Sequence, residues 1–434
     1  MIESRLAPWL SASRWPTAPI RLVARLGSGH TPSRSKPEYW ENCTVPWITL
    51  ADVWQLRSGR TDVITDTNEM ISPLGLANSS AVKHPAGTVI LSRTASVGFS
   101  AIMGRDMATS QDFATWSCGP NLDPRYLLHA LRGMAPDLKR IAMGSTHKTI
   151  YMPDIEQLRV PLPPLEMQRR IAEFLDTETT RIDALSAMRE RQVSLLEERM
   201  MASWSKVIDQ DARDSAWSPI RRFITAITDG PFGSSLTSSH YSDEGARVIR
   251  LGNLGRAEFR DRDPAYIPLE YFAELRRHEA LPGDLIVAGL GDQNHPLGRA
   301  CVVPSGIGPA MVKADCFRLR LDQSRVLHEY AAWALSSQRV ADQVTLLARG
   351  STRARINLEV ARDIPVPVPS LKQQRQSITA LREMRSTTDA IATRCRQQLD
   401  LLAKRRQALI TAAVTGQFDV STASGRNVTE GVAV

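Results

Sequence analysis

The sequence predicts an α+β protein: two similar mixed domains joined by long helices that pack as an antiparallel coiled coil. Three observations lead there. The chain repeats itself at long range, it contains two long runs free of proline and glycine, and short β-rich runs punctuated by turn residues fill the rest.

The repeat comes first because it sets the domain count. Residues 144–171 read GSTHKTIYMPDIEQLRVPLPPLEMQRRI, and residues 350–377 read GSTRARINLEVARDIPVPVPSLKQQRQS. At a constant interval of 206, Gly144/Gly350, Ser145/Ser351, Thr146/Thr352, Ile150/Ile356, Val160/Val366, Pro161/Pro367, Pro163/Pro369, Leu165/Leu371, Gln168/Gln374 and Arg169/Arg375 match. The same interval carries Leu195-Leu196 and Arg199 onto Leu401-Leu402 and Arg405. A weaker echo lies upstream, where Pro19-Ile20-Arg21 and Pro219-Ile220-Arg221 each follow a tryptophan, Trp15 or Trp217. Pro46 to Leu50 sits where Arg247 to Leu251 does, and Pro85 to Ile90 resembles Leu281 to Ile286. A unit this long holds its own core, so the repeat implies duplicated domains and a pseudo-two-fold molecule. Such symmetry suits two copies of another subunit, two half-sites on a duplex, or both. Between the anchors the copies differ strongly, as expected of one architecture that binds different things.

Within each mixed domain, Val45 to Leu50, Thr88 to Ser92, Val248 to Leu251, Asp284 to Ala288 and Ala300 to Val303 read as strands between Gly/Pro/Asn turns. Tyr126 to Arg132 and His328 to Gln343 read as helices, the first opened by the Asp123-Pro124 cap. A twisted, largely antiparallel sheet is expected. The arms follow. Leu165 to Asp209 has no proline or glycine, and Ile171, Leu175, Ile182, Leu185, Val193, Leu196 and Met200 recur at helical spacing. Leu371 to Val414 carries Ile378, Leu381, Ile391, Leu399, Leu402, Leu409 and Ile410 in the same way. Such a stripe must bury itself against another helix. A helix of about 40 residues spans roughly 60 Å, more than either domain needs, so the two arms are expected to pack on each other. Each begins just after a P-x-P segment, Pro161 to Pro163 or Pro367 to Pro369, which stops the preceding strand. The segments are therefore 1–160, the first domain; 161–212, the first arm; 213–366, the second domain; 367–420, the second arm; and 421–434, a flexible tail.

Composition narrows the class. In 434 residues, 42% are apolar and 23% charged, a globular mixture, and 54 basic against 46 acidic side chains leave a formal charge of +8. That excess favours a polyanionic partner without demanding one. Five dispersed cysteines show no zinc-ligand spacing and suit free thiols in a reducing compartment. Met1 to Ser13 lacks the pattern of a secretion signal. No stretch approaches the ~18 apolar residues of a membrane span. A cytoplasmic protein with no membrane partner is expected.

No active site is legible. Gly27-Ser28-Gly29 and Gly230-Pro231-Phe232-Gly233 are not phosphate-cradling loops before helices. The eight histidines are scattered without metal-ligand spacing. Asp106, Asp112, Asp284 and Asp292 read as turn or solvated carboxylates, and no nuclease centre or methyltransferase fingerprint appears. No catalytic, cofactor or metal residues are assigned to this chain.

The duplicated motifs carry a resemblance. The G-S-T…P-x-P-x-L-x-x-Q segment, present twice, resembles the junction between target recognition domain and conserved helix in Type I restriction–modification specificity (S) subunits. Leu401 to Gly416, LLAKRRQALITAAVTG, is similar to that family's C-terminal string. Gly29-His30-Thr31-Pro32-Ser33 resembles its G-x-T-P-S motif, and Asp229-Gly230-Pro231-Phe232-Gly233-Ser234 its other common opening. The first arm departs from the string where Met200 to Trp204 replaces Arg-Gln-Ala-Leu. The resemblance implies two target recognition domains, each reading half of a bipartite asymmetric duplex DNA target, with the helical spacer fixing the gap. It implies docking of two methyltransferase (M) subunits and up to two restriction (R) subunits. S-adenosylmethionine, ATP and Mg²⁺ would belong to those partners, none to this chain. Two alternatives stay open: a complex that only methylates, and a scaffold that binds no DNA.

Base reading needs donors and acceptors, and phosphate anchoring needs positive charge or exposed N–H groups. In the first domain the turn-flanked DNA-contact candidates are His30, Thr31, Ser33, Arg34, Lys36, Arg57, Arg60, Lys83 and Arg93. In the second they are Ser234, Ser235, His240, Arg247, Arg250, Asn253, Arg256, Gln293, Asn294, Arg299 and Lys313. Gly144/Gly350 and Thr146/Thr352 are read as structural first. Trp40, Trp47 and Trp54 are read as core or rim, with stacking on a flipped base as the alternative.

Overall fold

The computed structural model describes residues 7–11, 13–144, 148–292, 294–347 and 354–420. Thr146, Gly350, Thr352 and the 421–434 tail lie outside them. The chain divides into two compact units, Met1–Arg191 with Cys395–Val434, and Gln192–Arg394. Each unit therefore holds one mixed domain and one half of each arm.

In unit 1 a five-stranded sheet runs in the order Ala24–Ser28, Phe113–Cys118, Val89–Ser92, Ser100–Met103, Val63–Ile64. A second sheet orders Glu69–Ile71, Val45–Ile48, Ala108–Thr109. Unit 2 repeats the plan with four strands, Ile224–Thr228, Cys316–Leu321, Leu285–Ala288 and Ala300–Val302, and three, Tyr266–Ile267, Ala246–Ile249 and Ala310–Val312. The single antiparallel sheet expected from the turn spacing is thus two principal sheets. Each unit also contains parallel pairs, Val45–Ile48 with Ala108–Thr109 and Ala246–Ile249 with Ala310–Val312. Partners in a parallel pair are joined by a long crossover, which alternation of apolar residues does not reveal.

The helix expected over His328 to Gln343 is two helices, His328–Leu335 and Gln338–Leu347. Ser336 lies at the break. Its hydroxyl accepts from Ala300 N (2.9 Å) and Ala257 N (3.1 Å), satisfying sheet-edge amides instead of continuing the helix. Helix Pro124–Gly133 starts as its sequence indicates, with Asp123 Oδ1 accepting from Arg125 N (2.9 Å) and Tyr126 N (3.2 Å).

The arms are single helices, Leu165–Arg213 and Leu371–Val414. In unit 1, Asp183 faces Arg406 at 3.4 Å and Phe174 stacks on Phe418 at 5.5 Å. In unit 2, Asp211 accepts from Ser377 Oγ (2.8 Å) and Arg385 lies 5.6 Å from the Trp204 ring. Numbers rise along one arm as they fall along the other, so within each unit the segments run antiparallel. The apolar stripe is buried where a domain covers it, at Ile171, Leu175, Ile378, Leu381, Leu409 and Ile410. Along the middle of the arms Leu185, Met188, Leu195 and Leu401 stay exposed.

The repeat has a structural basis at the junctions. Strand Thr17–Pro19 pairs with Arg159–Pro161, and Trp217–Pro219 pairs with Pro365–Pro367. Gln168 is fully buried and accepts from Asp123 N (2.9 Å) while donating to Asn121 O (3.0 Å) and Pro163 O (2.9 Å). Gln374 does the same with Leu327 N (2.9 Å), Arg325 O (2.8 Å) and Pro369 O (2.9 Å). One side chain thus ties the arm's first turn to the start of a domain helix, Pro124–Gly133 in unit 1 and His328–Leu335 in unit 2. Gln374→Ala leaves three buried backbone groups unpaired, and we expect it to destabilise unit 2 by about 2 kcal/mol in urea denaturation. Glu at this position would fail too, having no N–H to donate.

Candidate nucleic-acid interface

Both motif loops leave the edge strand of a main sheet, after Ser28 in unit 1 and after Thr228 in unit 2. Their glycines are demanded by close backbone approach. A Cβ on Gly29 would lie 1.8 Å from Thr109 O, and one on Gly230 would lie 2.0 Å from Lys313 C. The two different openings therefore meet one requirement: the loop crosses the end of the parallel strand without a side chain between.

In unit 1 the loop presents an anchored cation. Arg34 stacks 3.9 Å above Trp40 and 5.6 Å from Trp47, and pairs with Glu69 at 2.7 Å. The indole N–H groups hold the loop itself, Trp40 donating to Ser33 O (3.1 Å) and Trp47 to His30 O (3.3 Å). His30, Ser33, Arg34 and Lys36 are exposed; Thr31 is half-buried and donates to Gln111 Oε1 (2.7 Å). Lys36 reaches the Tyr39 hydroxyl at 3.1 Å. Elsewhere in this unit Arg60 pairs with Glu190 (3.1 Å) and Lys83 with Asp106 (3.5 Å). Arg57 is exposed, and half-buried Arg93 reaches Ile150 O (3.4 Å). Trp47 is core and Trp54 is exposed.

Unit 2 uses other residues to the same end. His240 stacks on Tyr271 (4.6 Å), whose hydroxyl donates to Ser235 O (2.7 Å), and Lys313 donates to Tyr241 Oη (3.1 Å). Ser234, Ser235 and Asn294 are exposed. Arg250 pairs with Asp263 (2.7 Å), and Arg247, almost wholly buried, pairs with Asp261 (2.7 Å). Half-buried Arg256 lies 3.6 Å from Met201 Sδ and 3.5 Å from Gln338 Oε1. Gln293 lies outside the described residues.

Besides Arg247, two more of the sequence's candidates are buried. Asn253 is buried, accepting from Arg250 N (2.9 Å) and donating to Arg260 O (2.9 Å) and Arg262 O (3.1 Å). Arg299 is 4% exposed and donates to Leu254 O (2.8 Å), Leu290 O (3.0 Å), Leu251 O (3.1 Å) and Pro296 O (3.2 Å). Their donors are occupied by backbone, so they shape loops. Composition could not have separated them from Arg34. What the sequence missed is the aromatic seating by Tyr241 and Tyr271, and the counter-ions Glu69, Asp261 and Asp263, whose signal was only their proximity to basic residues.

Asp229, which opens the second motif, is the most perturbed carboxyl here. Burial pushes it up to about 6; a hydrogen bond from Gly230 N (2.7 Å) opposes the shift and nearby Asp315 adds to it. The folded state thus binds this proton more tightly than the unfolded chain, whose carboxyl titrates near 3.8. Its contribution is full below that lower value and is lost as pH rises through about 6. Asp229→Asn should flatten the urea midpoint of unit 2 across that window, and an unaltered slope would show that Asp229 is not its source.

Among the described residues no group of three or more His, Cys, Asp or Glu side chains is placed to hold a metal ion. No helix of the described residues is long and apolar enough to cross a membrane. What the loops offer is hydrogen-bond donors, stacked cations and short polar side chains.

Comparison with known proteins agrees with the motifs. A family model described as the Type I restriction modification DNA specificity domain matches residues 13–193. The matched segment is less than half of the chain. It is 25% identical over 179 residues to the EcoR124I/EcoR124II specificity subunit of Escherichia coli, covering 40% of this chain and 43% of that protein. It is 19% identical over 319 residues to the MjaVIII specificity subunit of Methanocaldococcus jannaschii, covering 69% of this chain and 71% of that one. The first alignment therefore spans less than half of its relative. A solved chain from work on type I R-M assembly and conformational transition shares the fold, with a TM-score of 0.69 at 16% identity over 93% of this chain and 98% of its own. The HsdS subunit of Thermoanaerobacter tengcongensis aligns with a TM-score of 0.50 at 16% identity, over 93% of this chain and 97% of that one.

Proposed function

We propose that this chain is the non-catalytic DNA-reading subunit of a Type I restriction–modification complex in the cytoplasm. Its two mixed domains, residues 1–160 and 213–366, each read one half of a bipartite, asymmetric duplex target. The arms, 161–212 and 367–420, set the unspecified gap and dock two methyltransferase subunits, with up to two restriction subunits completing the complex. Methylation of adenine and ATP-dependent cleavage take place on those partners, which bring S-adenosylmethionine, ATP and Mg²⁺.

One observation carries the proposal: a single frame occurs twice, and on each copy the same loop is furnished with different anchored cations and aromatics. On the first loop Arg34 lies over Trp40, whose N–H holds Ser33 O; on the second His240 lies over Tyr271, whose hydroxyl holds Ser235 O. Unlike loops on like frames suit two unlike half-sites. The exposed mid-arm residues Leu185, Met188, Leu195 and Leu401 supply apolar surface for the methyltransferase subunits.

Adenine methylation across the genome, with and without this chain and with its methyltransferase present in both, tests the proposal. Loss of one split motif, two short halves at a fixed gap, is the expected result. An unchanged methylome would sink it.

A further inference from the structure

Unit 1 contains a cleft of about 410 Å³ away from the motif loop, between the Leu56–Gly59 segment, the Gly98–Ser100 turn, helix Ala135–Ile141 and the last turns of the second arm. Four cations line it, Arg57, Arg132, Lys139 and Arg406, and no acidic residue does. Two are balanced from behind, Arg132 by Asp62 and Arg406 by Asp183 at 3.4 Å. Arg57 and Lys139 enter no ion pair among the described residues. The cleft thus keeps an excess of about two positive charges.

Its wall also covers one polar group that lacks a partner. Ser100 is 4% exposed, and its hydroxyl has no hydrogen-bond partner. Arg406 is held from behind, its Nε facing Asp183 Oδ1 at 3.4 Å and its Nη2 donating to Gly59 O (2.7 Å). A buried donor left unpaired is costly, so the arrangement calls for an acceptor. One tetrahedral oxyanion supplies several acceptor oxygens and about two negative charges at once, which a carboxylate does not.

We propose that this cleft binds a phosphate group. Nothing in it belongs to the motif loops, and of the candidate DNA contacts only Arg57 lines it. The phosphate comes either from a small phosphorylated compound, whose terminal group carries about two charges, or from neighbouring diesters, each with one charge, in the backbone of a duplex passing this face.

The test uses the full chain, with inorganic pyrophosphate as the probe followed by titration calorimetry. The Arg57→Ala/Lys139→Ala pair removes exposed side chains, and Ser100→Ala removes only a hydroxyl, so thermal unfolding without ligand should not change. For a small-compound site, pyrophosphate binds the unaltered chain, the double variant loses at least tenfold and Ser100→Ala loses severalfold, while duplex binding by the Lys139→Ala single variant keeps its salt dependence. For a backbone site, the double variant lowers the slope of log affinity against log salt by about 0.9 for each phosphate that is no longer neutralised, and pyrophosphate competes with duplex. If neither pyrophosphate affinity nor the salt slope responds to the variants, the cleft holds no phosphate and the proposal fails. The pyrophosphate measurement needs no target sequence, so its outcome is independent of the methylome result.

Discussion

Trp204→Ala is expected to destabilise unit 2 by about 4 kcal/mol, the upper part of the range for a large buried side chain. Trp204 is 2% exposed and meets Trp333 edge to face at 4.8 Å, donating Nε1–H to Trp333 O at 3.1 Å. Arg385 stacks on the other partner, 3.9 Å above the Trp333 ring, and donates to Ala257 O and Arg256 O, both at 2.8 Å. Both arms and helix His328–Leu335 therefore meet at one indole. Removing it opens a cavity and leaves Arg385 with half of its apolar seat. Urea denaturation gives the value, and Trp204→Phe should recover most of the packing while still lacking the N–H. A loss below about 1 kcal/mol for the alanine variant would mean that the site collapses around the gap. The repeat interval places Trp204 opposite Ile410, which packs near Gly133 and Trp9 in unit 1. The point where the first arm departs from its repeat is thus the point where it fills a different socket.

Arg299→Ala should cost about 3 kcal/mol, because it removes a buried guanidinium that bridges the carbonyls of Leu254, Leu290, Leu251 and Pro296. The guanidinium lies between the loops ending at Leu254 and Leu290, and burial lowers its pKa from the ordinary arginine value without removing the charge. Arg299→Lys should recover little, since one ammonium cannot reach the four carbonyls that the planar fork spans. Thermal unfolding measured beside duplex binding separates the two roles. DNA binding should fall only in step with loss of fold. A variant that stays folded but prefers different bases would return Arg299 to the reading surface.

These two residues show how unevenly the sequence disclosed the molecule. The arms were legible to the residue at their starts, Leu165 and Leu371, because proline ends the strand before each and then disappears for more than forty residues. The Gln168/Gln374 identity was visible as a repeat, but its cause, a glutamine satisfying three buried backbone groups, was not. Local rules also located Asp123 as a cap. They missed the break at Ser336, since serine inside a helical pattern is neutral until a sheet edge presents Ala300 N and Ala257 N to it.

The candidate DNA-contact residues are polar groups near turns, a criterion blind to direction. Arg34 and Arg299 satisfy it equally, yet one is exposed above a half-buried indole and the other lies among backbone carbonyls. The amino-acid sequence by itself determined the duplication and the helical arms, because a repeated string and an apolar period are read along the chain; the motif glycines were visible, but their cause, the approach of Thr109 O and Lys313 C, was tertiary. Only the tertiary structure decided which cations face solvent. The side chains that bury an arginine, such as Leu251, Leu254 and Leu290 around Arg299, lie tens of residues away or across a loop, and no local pattern encodes where their carbonyls will point.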